Sequence, residues 1–455
     1  MDVEGKKISV VGLGRSGIEA TRLLARKKAR VFVSDSKKKA ELKEAAAELE
    51  DLGVKAEYGL HSDKILDSEV IVVSPGVRSD LPVLLKAAAK GIAVISEVEL
   101  AYSFLSCKII AVTGTNGKTT TAALIHHILD GAGVRSDMGG NMAPGTPLSA
   151  LVGKKLDFAV VEVSTFQLER IREFRPHVGV LTNIAPDHLD RHASFESYKR
   201  LKARLFSNQG PEDFAVLNSD DEDVMSLAGL LAARRVVFSL RRVADDGVWV
   251  EGREIQFRLH GETGRICSTS EVRLRGEFNL ENSLAASAAC ILVGVEKEAV
   301  HRGLSSFEGV VHRLERVGEI DGVVFVNNSM CTNPTAAFRS LTAFAGPLVI
   351  IMGGKDKGFE TKLMVEALAR RAKQVVLIGE ASARLASELA EEGYERYERA
   401  ESMSDAVKKA YAKAEKGDTV LLSPGFASFD MFKNFEERGD AFKKAYRELE
   451  SRTAR

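Results

Sequence analysis

A β-branched run that ends in a glycine-bounded polar turn and reopens as a helix constrains this chain more than any other stretch. Lys108-Ile109-Ile110-Ala111-Val112-Thr113 has the make-up of a buried strand, and Gly114-Thr115-Asn116-Gly117 is the turn. Lys118-Thr119-Thr120-Thr121 then leads into Ala122, Leu124, Ile125, Ile128 and Leu129 at helical spacing. Strand, loop and helix in that order aim backbone N–H groups and a helix N-terminus at one point, which suits phosphate oxygens. Lys118 has the reach for β- and γ-phosphates, and the Thr119 hydroxyl suits Mg²⁺. The strict phosphate-loop pattern carries Gly where Val112 stands, so the match covers the second half of that motif. A Gly/Thr turn with an exposed lysine is the competing reading, and the flanking strand and helix argue against it. The stretch is read as a triphosphate site.

With 455 residues the chain exceeds one hydrophobic core, and about three domains is the natural expectation. Lys plus Arg balance Asp plus Glu at a formal net charge of zero, which speaks against general nucleic-acid binding and against an anionic membrane surface. No apolar run is long enough to span a bilayer, and Met1-Asp2-Val3-Glu4-Gly5 lacks a signal-peptide pattern. Cys107, Cys267, Cys290 and Cys331 are scattered without a C-x-x-C pair, the usage of a reduced compartment. The expectation is a cytoplasmic protein without membrane insertion.

The first domain is placed at residues 1–106. Lys7 to Val11 reads as a strand, followed by Gly12-Leu13-Gly14-Arg15-Ser16-Gly17 and a helix through Ala20, Leu23 and Leu24. A second strand from Arg30 to Ser34 ends at Asp35. This is G-x-G-x-x-G in a βαβ unit with an acidic residue near the spacing of a ribose contact. Alone it points to NAD and a dehydrogenase, but its physics asks only for a diphosphate at a helix N-terminus, which UDP also supplies. Glu69 to Val73 and Ile92 to Ile95 read as further strands; Ser74-Pro75-Gly76-Val77 is either a second wall of the pocket or an ordinary turn. Ala40 to Leu52 reads as a solvated helix.

The central domain is placed at residues 107–310. Gly139 to Gly145 reads as a flexible polar turn. Phe158 to Val161 is a buried strand ending at Glu162, a carboxylate well placed for Mg²⁺ beside a phosphate loop, with helix capping as the competing reading. Val178 to Leu181 exits into Thr182-Asn183-Ile184-Ala185-Pro186-Asp187-His188-Leu189-Asp190-Arg191-His192, dense in ligand types. His188 and Asp187 are favoured there, and His192 is read as structural. Tyr198 to Phe206 looks like an amphipathic basic helix whose lysines are solvated, and spacing singles out none of them. Val236 to Ser270 reads as a β-rich flap on the α/β core. Asn279 and Asn282 open an Ala-rich helix, either as caps or as partners for a base.

Val311-His312-Arg313-Leu314-Glu315-Arg316 is read as the linker into a third domain, residues 311–455, with strands at Val323–Val326, Leu348–Met352, Gln374–Ile378 and Thr419–Leu422. Alternation with helical patterns gives a second doubly wound sheet. Its strand ends are polar or glycine-rich, and a Lys-bearing Gly loop with a Ser-rich turn suits a small anionic substrate. Three α/β modules with a diphosphate site, a triphosphate site and an anion site suggest an ATP-driven joining enzyme. A dehydrogenase has no use for Lys118 and Thr119.

Taken together these motifs resemble the Mur ligases over essentially the whole chain. Gly114-Thr115-Asn116-Gly117-Lys118-Thr119 is similar to their ATP loop, Asn183 through Arg191 to their N-x-x-x-D-H-x-D signature, and Glu162 to Leu168 to their E-x-S-S-F-Q-L run. Ser428 through Gly439 looks most like the D-glutamate-adding branch. The resemblance implies a three-domain α/β fold: a Rossmann-like UDP-binding domain, a P-loop-type ATPase sheet with a small β flap, and a C-terminal doubly wound domain that binds the amino acid. It implies an ATP-dependent ligase that adds D-glutamate to UDP-N-acetylmuramoyl-L-alanine through an acyl phosphate, in peptidoglycan precursor synthesis, with ATP, two Mg²⁺ ions and a monomeric chain.

The resemblance also implies residue roles. Gly114, Thr115, Asn116, Gly117, Lys118, Thr119 and Thr120 would hold ATP, with Asn279, Arg313 and Asn328 on the nucleotide. Thr119, Glu162, His188 and Lys202 would hold metal, Lys202 as a carbamate formed with CO₂; Lys118, His188, Lys202 and Glu162 form the catalytic group. Gly14, Arg15, Ser16, Gly17, Asp35, Ser36, Ser74, Asn141, Ser164 and Gln167 would bind the UDP substrate. Thr332, Lys357, Ser428 and Phe435 would place D-glutamate. One departure stands out: the family usually shows Asp and Lys where this chain has Asn328 and Met330, and Met supplies no cation. Other readings are a sibling ligase with another amino acid, a folylpolyglutamate-type ligase, an NAD-binding dehydrogenase, and a non-catalytic nucleotide-binding regulator.

Overall fold

The computed structural model describes residues 1–142, 145–187, 191, 194–243, 245–342, 344 and 346–453. The chain divides into two compact units, Met1–Phe307 and Glu308–Arg455. The first unit holds two sheets and the second holds one, all flanked by helices, so the α/β class expected from the sequence is borne out.

The first sheet consists of β1 (Lys7–Val11), β2 (Arg30–Asp35), β3 (Lys55–Tyr58), β4 (Val70–Val73) and β5 (Ala93–Ser96), all parallel in the order β3-β2-β1-β4-β5. Helices cover both faces of such a sheet, so its strands are nearly continuous in apolar residues; Ile8, Val10 and Val72 are fully buried. The strand order reverses between β1 and β4. The ends of those two strands therefore open a crevice, and they carry the Gly12–Gly17 turn and Ser74.

The second sheet has nine strands: β6 (Lys108–Thr113), β7 (Ser136–Gly140), β8 (Phe158–Glu162), β9 (Val178–Leu181), β10 (Phe214–Asn218), β11 (Arg234–Ser239), β12 (Gly247–Glu251), β13 (Glu254–Leu259) and β14 (Glu262–Ser268). Their order is β14-β13-β12-β11-β10-β9-β6-β8-β7, which puts β6 between β8 and β9 at a reversal of strand order. Two expectations are corrected here. Gly139 and Gly140 belong to β7, paired in parallel with β8, and are not part of a free turn. The residues read as a flap on the α/β core extend the main sheet edge to edge: β12 pairs with β11 in parallel, and β13 and β14 follow as antiparallel hairpins.

The sheet of the second unit runs β15 (Glu315–Ile320), β16 (Val323–Asn327), β17 (Leu348–Gly353), β18 (Ala372–Ile378), β19 (Tyr397–Ala400) and β20 (Thr419–Gly425) in the order β15-β16-β20-β17-β18-β19. Only β15 is antiparallel to its neighbour. The exits of β16, β20 and β17 are thus adjacent, and they carry the polar turns noted in the sequence.

Candidate active site

The turn after β6 is shaped by two glycines with positive φ. A Cβ on Gly114 would stand 1.9 Å from Thr182 Oγ1, and one on Gly117 would stand 2.2 Å from Asn282 Oδ1. No other residue fits. The exit of β9 holds the turn from outside: the Asn116 N–H donates to Asn183 Oδ1 (2.8 Å), the Thr115 N–H to the Asn183 carbonyl (2.9 Å), and the Thr182 hydroxyl to the Asn116 carbonyl (2.6 Å). Lys118 opens the helix Lys118–Gly131, and its Nζ donates to the carbonyls of Gly114 (3.0 Å) and Thr115 (2.9 Å). Its ammonium therefore lies over the loop.

Two neighbouring strand ends complete this mouth. The Thr119 hydroxyl donates to Glu162 Oε2 at 2.7 Å, and both groups are buried. Asn141, at the end of β7, donates through its backbone N–H to the Glu162 carbonyl (2.8 Å) and through Nδ2 to Glu162 Oε1 (3.4 Å). Glu162 thus joins the residue expected to hold ATP to one expected to touch the acceptor. The paired strand register, Val112 beside Glu162 and Gly140 beside Glu162, sets this meeting.

Lys202 sits on the helix Phe195–Ala203 with 2 % exposure, its Nζ 4.5 Å from the centre of the Tyr198 ring. Burial, then the charge of Lys118, push its pKa well below the ordinary 10.5, while Asp187 opposes the shift. The Tyr198 hydroxyl is 3.1 Å from Thr115 Oγ1, so the buried lysine is tied to the phosphate loop. The expectation that this helix exposes its lysines fails for Lys202. The available signal was its position four residues after Tyr198, on the one buried stripe of the helix. His188, Asp190 and His192 lie outside the described residues.

Among the described residues no three His, Cys, Asp or Glu side chains cluster as a metal site. The Thr119 hydroxyl and the Glu162 carboxylate are hard oxygen donors of the kind Mg²⁺ takes, so the residues present fit that ion. A second amide also belongs here. Asn282 accepts from the Thr121 hydroxyl (3.1 Å) beside Gly117, whereas Asn279 turns its Nδ2 to the Arg275 carbonyl (2.9 Å).

In the first sheet's crevice, Asp35 is buried and accepts from the Leu13 N–H (2.6 Å) and the Lys37 N–H (2.7 Å), closing the Gly loop onto β2. The Ser74 hydroxyl donates to the Gly12 carbonyl (2.7 Å), which ties the Ser74 turn to the Gly loop. Gly14, Arg15 and Ser36 are exposed, Ser16 is half-buried and Gly17 is buried in the helix start. The Arg15 guanidinium donates to the carbonyls of Met142 (2.8 Å) and Gly145, bridging the first crevice to the segment after Asn141. Ser164 and Gln167 bond each other as a capping box, and among the described residues the buried Gln167 Nε2 has no hydrogen-bond partner. Arg191 was not singled out in the sequence; its guanidinium lies 4.4 Å over the Phe166 ring.

In the second unit, Asn328 is buried, accepting from the Leu314 N–H (3.3 Å) with its Nδ2 3.5 Å from Ser423 Oγ. The half-buried Arg313 stands between His312 and Leu314, both with positive φ (64° and 46°). Lys357 is exposed, its Nζ 5.6 Å from the Phe429 ring centre. Ser428 is buried, and Thr332 and Phe435 are half-buried.

Residues 6–96 match the family model described as the MurD-like N-terminal domain of Mur ligases, residues 112–290 the Mur ligase middle domain, and residues 312–426 the Mur ligase glutamate ligase domain. The chain is 43% identical over 441 residues to a UDP-N-acetylmuramoylalanine--D-glutamate ligase of Pelotomaculum thermopropionicum, covering 96% of each chain. It is 41% identical to the enzyme of that name from Koribacter versatilis, again over 96% of each. Among solved structures, a UDP-N-acetylmuramate-alanine ligase from Thermotoga maritima aligns with a TM-score of 0.57 at 21% identity, over 98% of this chain and 100% of the other. A pseudomurein peptide ligase from Methanothermus fervidus aligns with a TM-score of 0.55 at 21% identity over the same shares.

Proposed function

The chain belongs to the Mur ligase family, and from that premise we propose that it joins D-glutamate to UDP-N-acetylmuramoyl-L-alanine with ATP, as an ATP-dependent amide-bond ligase of peptidoglycan precursor synthesis. The observation that carries the reading is the meeting of Lys118, Thr119, Glu162 and Asn141 at adjacent strand ends; the reading assigns the first three to the triphosphate and its metal and Asn141 to the acceptor. An NAD-binding dehydrogenase has no role for that cluster.

A carboxylate is a poor acyl donor, so it needs activation. The terminal alanine carboxylate attacks the γ-phosphorus of ATP, the bond to the β-phosphate breaks, and an acyl phosphate and ADP result. The amine of D-glutamate then attacks the acyl carbon, phosphate departs, and the amine loses a proton. Lys118 would exchange its bonds to the Gly114 and Thr115 carbonyls for phosphate oxygens, neutralising charge as the γ-phosphoryl group moves. Thr119 and Glu162 would hold Mg²⁺, which when bound offsets the charge crowded on the transferring group. His188 and Lys202, the latter as a carbamate, would hold a second ion. A neutral buried amine is the form that reacts with CO₂, and the depressed pKa of Lys202 supports it.

Asp35, the Gly14–Gly17 turn, Ser36 and Ser74 would take the UDP portion, and Asn141, Ser164 and Gln167 the muramoyl-alanine. The unpartnered Gln167 Nε2 supports that role. Asn279, Arg313 and Asn328 would contact the nucleotide, with Asn282 added beside the loop. Thr332, Lys357, Ser428 and Phe435 would place D-glutamate. Domain limits of 1–106, 107–310 and 311–455, a monomer, and a cytoplasmic site of action belong to the same reading; no described helix is long and apolar enough to cross a membrane. Phosphate release should be measured with UDP-N-acetylmuramoyl-L-alanine and single amino acids. D-glutamate is expected to give the only strong signal, and a stronger signal with another amino acid would replace it.

A further inference from the structure

Arg438 lies near the start of the long helix Phe435–Thr453 and is only 1 % exposed. Burying a guanidinium is expensive, and an apolar side chain would dock this helix better if docking were the whole purpose. Among the described residues no carboxylate forms an ion pair with it. Its fork is spent instead on backbone and hydroxyl oxygens. Nε donates to Ser329 Oγ (3.1 Å), Nη2 to the Ser329 carbonyl (2.9 Å) and Nη1 to the Phe426 carbonyl (2.9 Å). Burial brings its pKa down to about 10, so it stays charged at neutral pH; Cys331 and Asp430 act on it more weakly.

What these oxygens belong to gives the arrangement its meaning. Ser329 is fully buried; its N–H donates to Asn327 Oδ1 (3.1 Å) and its hydroxyl to the Phe435 carbonyl (2.7 Å). One guanidinium and one serine therefore hold the turn after β16, the turn after β20 and the entry of the last helix. Those segments carry Thr332, Ser428 and Phe435. The turn after β17 joins the same point: the Lys355 N–H donates to the Ala427 carbonyl (2.7 Å), and a Cβ on Gly354 would stand 3.1 Å from Arg438 Nη1. A planar fork with fixed donor directions sets the spacing of several loops in a way that a flexible ammonium cannot.

We propose that Arg438 is a positioning residue for the amino-acid substrate, acting through Ser329 and the Phe426 carbonyl to hold the Thr332, Ser428 and Phe435 segments at the spacing that D-glutamate requires. The inference rests on the amino-acid site proposed above. Arg438 itself touches no substrate. Its loss should therefore appear in binding of the amino acid, and not in activation of the acceptor carboxylate.

The test compares wild type with Arg438→Lys and Ser329→Ala in steady-state kinetics. It also measures acyl phosphate trapped with hydroxylamine in the absence of D-glutamate. Arg438→Lys should raise KM for D-glutamate about tenfold or more, with KM for the UDP acceptor and hydroxamate yield changed less than about twofold. Ser329→Ala should move KM for D-glutamate in the same direction by a smaller factor. An unchanged KM for D-glutamate in a folded variant would overturn the proposal. So would an equal fall in every kinetic constant and in hydroxamate yield, which marks a purely structural role. If Arg438→Lys does not fold, Ser329→Ala decides on the same criteria. Wild type that uses a different amino acid would refute the D-glutamate reading separately, and the clamp is then judged on KM for that amino acid.

Discussion

Replacing Lys202 by Met separates what this side chain costs the fold from what it gives the reaction. Met keeps most of the volume and the contact with the Tyr198 ring, where Nζ now stands at 4.5 Å. It removes an amine that is 2 % exposed and whose protonated form is opposed by both burial and Lys118. Exchanging buried ionic groups for apolar ones of similar volume is neutral to stabilising, by up to about 1–4 kcal/mol for ion pairs, and loss of the cation–π contact returns part of it. A net gain of about 1–3 kcal/mol is expected, or about 2–6 °C in melting temperature for a unit of this size. The sign with pH follows from the depressed pKa. Wild type bears the full penalty below the folded pKa of Lys202, and the penalty fades as pH rises toward 10.5. The advantage of the Met variant should shrink over the same range. The assay is calorimetry in metal-free, CO₂-depleted buffer, paired with phosphate release under turnover conditions, where activity should fall by about 10³-fold. A lower melting temperature for Lys202→Met, or retained activity, would refute the reasoning.

Three further outcomes follow from other contacts. Lys118→Ala should abolish phosphate release while titration calorimetry still detects the UDP acceptor; loss of both would contradict the assignment of separate sites. Arg15→Ala removes the bonds to the Met142 and Gly145 carbonyls and should raise KM for the UDP acceptor about five- to tenfold with kcat little changed. Glu97 is fully buried and accepts from the Ser149 N–H through Oε1, while Oε2 has no hydrogen-bond partner among the described residues; burial raises its pKa to about 7. A carboxyl with a raised folded pKa lowers stability as pH climbs from 4.5 to about 7, so wild type should lose about 3 kcal/mol over that interval relative to Glu97→Gln. Denaturant titrations of both at pH 5 and pH 8 check this, and parallel pH profiles would refute it.

The phosphate loop was legible because its signal is local: a strand, two glycines and a Lys-Thr pair within one stretch. Fully buried strands such as β9 and β17 were legible for the same reason, as their apolar runs have no other use. Short polar strands were not. Lys55–Tyr58, Glu315–Ile320 and Tyr397–Ala400 are edge strands whose short sequences mix charged residues with small or apolar ones, and only pairing to a neighbour makes them strands. Turns mark the strands of the flap in the sequence, but only the edge pairing of β12 to β11 shows that they continue the main sheet. Site residues divide the same way. Glu162 could be found from a strand end, whereas the burial of Lys202, the approach of Asn282 to Gly117 and the Arg15 bridge are tertiary facts. Arg438 belongs to a recognisable tail, but its clamp joins residues more than a hundred positions apart.

The central claim is that the acceptor carboxylate is activated by phosphoryl transfer at the Lys118 loop. The most direct measurement uses UDP-N-acetylmuramoyl-L-alanine labelled with ¹⁸O in its carboxylate, turned over with ATP and D-glutamate, followed by mass analysis of the inorganic phosphate. The account predicts that each phosphate carries an oxygen from the acceptor. Unlabelled phosphate alongside amide product would contradict it.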